Sequence, residues 1–221
     1  MQSNNELLNK LQCELEAIYA IELQYRVHDF VIDDPQLVSL LDNSPNARDI
    51  PEKLLIHQDG DNVDIALYLD SKLIKRLEQN DPTEQLHNHN IHDFWLALEG
   101  ISHFLYFSWN VSYERQVSLL ELELQAEVDK FILAALLMEK QFQGRIPQGL
   151  HYHLFQNADF DDRLNEEELT RYRDANYFAG KFCLHINDRF LKKRDFGQLM
   201  NELRRFYRLN QQHKIRAIGC L

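Results

Sequence analysis

Apolar residues recur along this chain at two different periods, and the change of period divides it. Leu7, Leu8, Leu11, Leu15 and Ile18 follow three- and four-residue steps, the spacing of one helical face. Ser3-Asn4-Asn5-Glu6 just before them has the form of a capping box. Tyr25–Ile32 is rich in β-branched and aromatic residues, stops at Asp33-Asp34-Pro35, and reads as a strand. A short helix is expected over Pro35–Leu41, followed by a loop with Asn43, Ser44, Pro45 and Asn46. Beyond it, Val63, Ile65, Leu67 and Leu69 alternate strictly with Asp64, Ala66 and Tyr68, the mark of a half-buried strand. Leu54, Ile56 and His57 form its partner, joined through Asp59-Gly60-Asp61-Asn62, where Gly and Asn tolerate the positive φ of a reversal. Asp70 or Ser71 then caps a helix carrying Leu73, Ile74 and Leu77.

After a polar stretch, Glu78–His92, read as a linker, the period stays helical. Two long helices are predicted at Ile91–Trp109 and Ser118–Phe142. The second carries two apolar stripes, one through Leu124, Val128 and Phe131 and one through Leu119, Leu122 and Leu133, so it is expected to be central with neighbours on both sides. Asn165 with Glu168 opens a further helix with Leu169, Tyr172, Ala175, Ala179 and Phe182 as its stripe. Asp195 starts another, with Leu199, Leu203 and Phe206, and a last short helix holds Ile215 and Ile218. The expected class is therefore α+β and predominantly helical: a small N-terminal helix plus short antiparallel sheet, followed by a C-terminal helical bundle. The expected units are residues 1–84 (helix, three-strand antiparallel sheet, helix) and 90–221, or one core shared by both.

Composition narrows the class further. The chain has 221 residues, 44% apolar and 27% charged, with only 7 Gly and 5 Pro, which suits a helix-rich globular protein over a sandwich or barrel. No apolar run is long enough for a membrane span. The N-terminus lacks the basic and apolar regions of a signal peptide. Cys13, Cys183 and Cys220 are odd in number and far apart, so the expected location is a reducing cytoplasm. The net charge of −11 is unevenly spread: residues 1–100 hold 7 Lys+Arg against 19 Asp+Glu, whereas residues 189–221 hold 9 against 2. That asymmetry suggests contact between the two ends, within a chain or between protomers.

The candidate chemistry sits on the two long helices. About eight residues join them, so they should be antiparallel neighbours. His92, Glu99, Ser102, His103 and Tyr106 share a face of the first that contains no Lys or Arg, and Glu123 and Glu127 share a strip of the second. Reflection about residue 115 sets His103 opposite Glu127, and Glu99 opposite Lys130 or Asp129. Imidazole and carboxylate facing one another across helices suit Zn, Fe or Mn. The candidate metal ligands are Glu99, His103, Glu123 and Glu127, with His92 or Tyr106 beside them. The simpler expectation for the same residues is a buried His103–Glu127 pair that fixes register. Ser118 and Glu121 form a capping box.

Other patterns carry less. His87-x-His89-x-x-His92 has chelating spacing, and His151-Tyr152-His153 would put two imidazoles on one side of a strand. Asp59–Asp64 resembles a calcium loop but lacks the glycine and the terminal acid, and is expected to be a hairpin turn. The basic C-terminus interleaves Arg204, Arg205 and Arg208 with Phe206 and Tyr207. Nucleic acid is disfavoured as its partner by the acidic whole, and docking onto the acidic half or a partner is expected. No GxGxxG, GxxxxGK[ST], HExxH or GxSxG occurs. Sequence alone thus favours a non-enzymatic cytoplasmic adaptor that binds a protein partner or itself, since 13 Phe, 9 Tyr and 2 Trp suit interfaces. The alternatives are a metal-dependent enzyme built on the candidate ligands, and nucleic-acid binding through the basic helices.

Overall fold

A computed structural model describes residues 2–42, 50–60, 62–147, 149–158 and 160–221, with side chains from residue 6 onward. Helix accounts for 64% of it, and the sheet has three strands. The class is the predominantly helical α+β arrangement that the patterning indicates. The capping box expected at Ser3–Glu6 and the loop Asn43–Asn46 lie outside the described residues.

Helix α1 (Gln2–Tyr19) buries Leu7, Leu8, Leu11, Leu15 and Ile18, the residues that its period selects. The following stretch corrects the expectation of a strand over Tyr25–Ile32. Val27–Phe30 is a turn of 3-10 helix, and only Val31–Ile32 (β1) is strand. The reason is tertiary: the Val27 N–H donates to Gln12 Oε1 of α1 at 2.8 Å, so that backbone is satisfied without a ladder. After α2 (Pro35–Leu41), β2 (Glu52–Asp59) and β3 (Asn62–Leu69) form the expected hairpin, with Gly60 at φ +60° in the turn. The sheet order is β1-β3-β2, and β1 runs parallel to β3, so only the β2–β3 pair is antiparallel.

Asp70 caps α3 (Ser71–Gln79) by accepting the Lys72 and Leu73 N–H groups. The linker beyond it is fixed by one buried residue. Asn90 donates to Asn80 O and Gln85 O and accepts from the His87 N–H. The long pair follows as expected: α4 (Ile91–Val111) and α5 (Leu119–Gln141), the latter opened by the Ser118/Glu121 capping box. Nearly every residue of α5 is covered, by α4 on one side and α7 on the other. Leu119, placed by its spacing in the second stripe, is an exception at 57% exposure.

Residues 151–153 belong to a helix, α6 (Leu150–Phe155), not a strand. Positions two apart on a helix point to different sides. His151 Nε2 therefore donates to Gly180 O, while His153 lies against the Trp95 ring, and the two imidazoles share no site. Helix α7 (Glu166–Ile186) begins with the Asn165/Glu168 capping box and ends in a π-helical turn, Asn187–Leu191. Asp195 caps α8 (Phe196–Tyr207), and Asn210 caps α9 (Gln211–Gly219).

One apolar cluster runs from Leu7 to Ile218 and takes in residues from both expected units. The basic end is partly used within the chain. Arg204 donates to Ala17 O and Ile18 O, and Arg208 to Tyr19 O and Ala20 O. Those carbonyls lie at the negative end of α1, which has no basic residue in its own last turn. No helix among the described residues is long and apolar enough to cross a membrane.

Candidate metal centre

Apart from the exposed His92, the face of α4 that lacks Lys and Arg is largely covered, and it divides into two polar clusters. The first is formed by α4, α5, α7 and the start of β2. Glu99 and His103 are one turn apart on α4 and so share a face. One ligand atom each from Glu99, His103 and Glu123 lie within 4.8 Å of one another. His103 Nε2 is 3.5 Å from Glu123 Oε2, and His103 Nδ1 is 3.5 Å from Glu52 Oε1. Both contacts are too long for good hydrogen bonds. Glu52 Oε1 and His103 Nε2 are buried without a hydrogen-bond partner, although their residues are only 8% and 7% exposed.

Glu127 does not meet His103. Lys130 claims it instead, donating to Glu127 Oε1 at 2.7 Å and contacting Glu99 Oε2 at 2.5 Å. A permanent cation beside two carboxylates outcompetes an imidazole for them. Arg171 on α7 approaches Glu123 Oε1 at 4.0 Å. Tyr106, expected beside the ligands, belongs to the second cluster, whereas His92 lines the cleft described below. His87 and His89 interact with each other: the His89 N–H donates to His87 Nδ1.

Burial and neighbours set the charges. Burial pulls the His103 imidazole down, but Glu123 and Glu52 outweigh it and hold the ring well above its ordinary range. Burial pushes the Glu52 carboxyl up, with His103 offsetting only part of this. Glu127 is also raised by burial, against Lys130. For Glu99 burial acts upward too, yet Lys130 and His103 prevail and hold it low. Lys130 is pulled down by burial and raised overall by Glu127 and Glu99.

A cleft of about 630 Å³ opens over this centre. Glu52, Glu99, Glu123, Glu127 and Lys130 contribute to its lining together with Trp95, Leu96, Phe160 and Leu164.

No protein-family model, curated protein or solved structure matches this chain.

Glu52 is the site residue that sequence reasoning missed. It lies some fifty positions from His103, at the first residue of a strand. The one trace of it is Gly100, a glycine inside an otherwise strong helix, which commonly marks a close approach. A Cβ at Gly100 would stand 2.8 Å from both Glu52 Cγ and Leu67 Cδ1. Gly100→Ala is thus expected to destabilise the protein by about 1–3 kcal/mol through overpacking. That loss exceeds the gain of about 1 kcal/mol in helix propensity. The denaturation midpoint checks it; a more stable variant would show that Glu52 and Leu67 do not press on α4.

The second cluster is closed. Asp129 accepts from Ser102 Oγ at 2.6 Å, from Gln125 Nε2 at 2.8 Å and from the Tyr19 hydroxyl. Lys214, fully buried on α9, donates to Gln125 Oε1 at 2.6 Å and stands over the Tyr106 and Phe206 rings. Burial raises Asp129 to about 6 despite its donors, and lowers Lys214 to about 7. Asp129 is satisfied by three donors and none of these residues lines the cleft, so the cluster reads as structural.

Proposed function

We propose that the protein binds one divalent first-row transition ion through Glu99, His103 and Glu123 and uses it on a small molecule held in the adjoining cleft. The supporting observation is the unpaired His103 Nε2, buried between carboxylates on rigid helices. Two donors on one ion at about 2.1 Å each stand at most about 4.2 Å apart. Three donors sharing a tetrahedral ion stand about 3.4 Å apart, so the 4.8 Å group has to close by about 1.4 Å at its widest, a side-chain rotation rather than a backbone movement. Glu52, against Nδ1, supplies the carboxylate that orients a metal-bound histidine. With His103 neutral, the four glutamates oppose Lys130 and Arg171, and the two remaining negative charges are what one divalent ion neutralises. Three protein ligands beside a cleft leave a coordination position for water or a ligand, the arrangement of catalytic rather than structural centres. The ion would supply Lewis-acid chemistry there, and Glu127, raised by burial, stands beside it as a proton acceptor.

Elemental analysis of untagged protein should give close to one ion per chain, and His103→Ala should remove it. Glu52→Gln should keep the fold and weaken the ion by roughly 10- to 100-fold. Sub-stoichiometric metal that His103→Ala leaves unchanged, with no uptake of added Zn, Mn or Fe, would overturn the reading. The adaptor and nucleic-acid readings lose part of their motivation, because Arg204 and Arg208 are engaged with α1.

A further inference from the structure

We propose that this cleft takes an uncharged small molecule with a flat apolar body and an amide-like polar group, and that its metal-free form discriminates against anions. The inference deepens the proposed function, and rests on it in taking this cleft as the ligand site. A volume of about 630 Å³ is the size of a small-molecule site. Trp95, Leu96, Phe160 and Leu164 contribute apolar surface to the lining, against which a flat ring system buries the most area.

The polar part of the lining selects by charge. Asn88, Asn157 and Asn176 contribute neutral amides. The Asn176 amide nitrogen is committed to Phe155 O at 3.0 Å, which leaves its oxygen to accept a hydrogen bond from a ligand N–H or O–H. The floor carries Glu52, Glu99, Glu123 and Glu127. Lys130 is the one Lys or Arg among the described lining residues, and it is already clamped between Glu99 and Glu127. An anionic ligand therefore meets these four glutamates and Asp161, with the one lysine of the described lining already paired, a juxtaposition that specific sites use to reject partners. An organic cation is attracted to the floor only while no metal ion neutralises it. A neutral ligand is compatible with both states.

Three probes with one body separate these cases: 2-naphthylacetamide, 2-naphthylmethylamine and 2-naphthylacetate. Each is titrated into the full chain by calorimetry and ligand-observed NMR, metal-free and with zinc. The acetamide is expected to bind one per chain in both forms. In the metal-free protein the acetate should be at least ~10-fold weaker, the effect of about one tenfold step in free energy. The amine should bind the metal-free form and weaken at least ~10-fold on zinc addition. Ala158→Trp, which fills the cleft from a half-buried lining position, should abolish acetamide binding. Leu164→Trp carries the same readout if the first variant does not fold. NOEs from the naphthyl protons to the Trp95 ring should place the probe.

Acetate binding as tight as the acetamide in the metal-free protein, or acetamide binding that survives the folded tryptophan variants, overturns the inference. So does the absence of acetamide binding. Acetamide binding without any zinc uptake defeats the metal reading alone. Zinc uptake without a preference among the probes defeats this inference alone.

Discussion

Lys130→Met should be among the most damaging single substitutions in the chain, costing about 3–5 kcal/mol, the usual result of stripping one partner from a buried ion pair. Lys130 neutralises Glu99 and Glu127 together, and its ammonium is in contact with both. Without it, two carboxylates with side chains only 18% and 20% exposed are left unpaired. A domain is stabilised by only about 5–15 kcal/mol, so the loss is a large share of the total. The pH dependence has a definite sign. Glu99 is held below its ordinary range, so its contribution is present above the unfolded carboxylate pKa and is lost as pH falls through the folded value. Lys130 is held above its ordinary range, so its contribution is present below the unfolded lysine pKa and is lost as pH rises through the folded value. The pair is therefore at full strength between roughly pH 4.3 and 10.4. In Lys130→Met both carboxylates are unpaired and raised, and stability should rise as pH drops from 7 toward 5. Adding Glu99→Gln and Glu127→Gln should recover most of the loss. Guanidinium denaturation across pH measures all of this; a loss under 1 kcal/mol would show that the clamp does not hold the centre together.

Lys214→Met should act in the opposite direction. Lys214 is fully buried, and burial lowers its ammonium from 10.5 to about 7, with Glu121 and Asp129 offsetting only part of the effect. A base with a depressed folded pKa costs stability wherever the unfolded chain is protonated. The cost is full below about pH 7 and fades as pH rises toward 10.5. At about 1.4 kcal/mol per pH unit the full cost is on the order of 5 kcal/mol. The ring faces of Tyr106 and Phe206 remain to pack against methionine. Gln125 Oε1 loses its donor, which returns about 1–3 kcal/mol of the gain. The variant is expected to be more stable by about 2–4 kcal/mol at pH 6–7, with the advantage lost on the way to pH 10, where the missing Gln125 hydrogen bond leaves it the less stable of the two. Denaturation midpoints of both proteins at pH 6, 8 and 10 decide the matter. Parallel curves would mean that Lys214 is not held in its uncharged form.

Legibility differed sharply between local and distant features. The α1 stripe, the β2–β3 hairpin and the caps at Ser118, Asp70 and Asn165 were all readable, because each depends on residues a few positions apart. The strand expected at Tyr25–Ile32 failed because Gln12 took the Val27 N–H, a choice made by a helix fifteen residues upstream. The candidate site was legible in part. Glu99, His103 and Glu123 do converge, since an antiparallel pair with a short connection brings those turns together. The pairing of His103 with Glu127 did not follow, because Lys130 holds Glu127.

Taken alone, the sequence determined the periodic structure of this protein: which segments are helical, which pair as strands, and that α4 and α5 lie antiparallel with ionisable groups between them. Periodicity and capping are short-range, so the chain carries them on its face. Tertiary structure decided what those groups became. Only folding carries Glu52 onto Gly100 and against His103, swings α7 across with Arg171, and seals Lys214 among aromatic rings. Charge, desolvation and unpaired donors depend on what lies within a few ångströms, and most of those neighbours are far away along the chain.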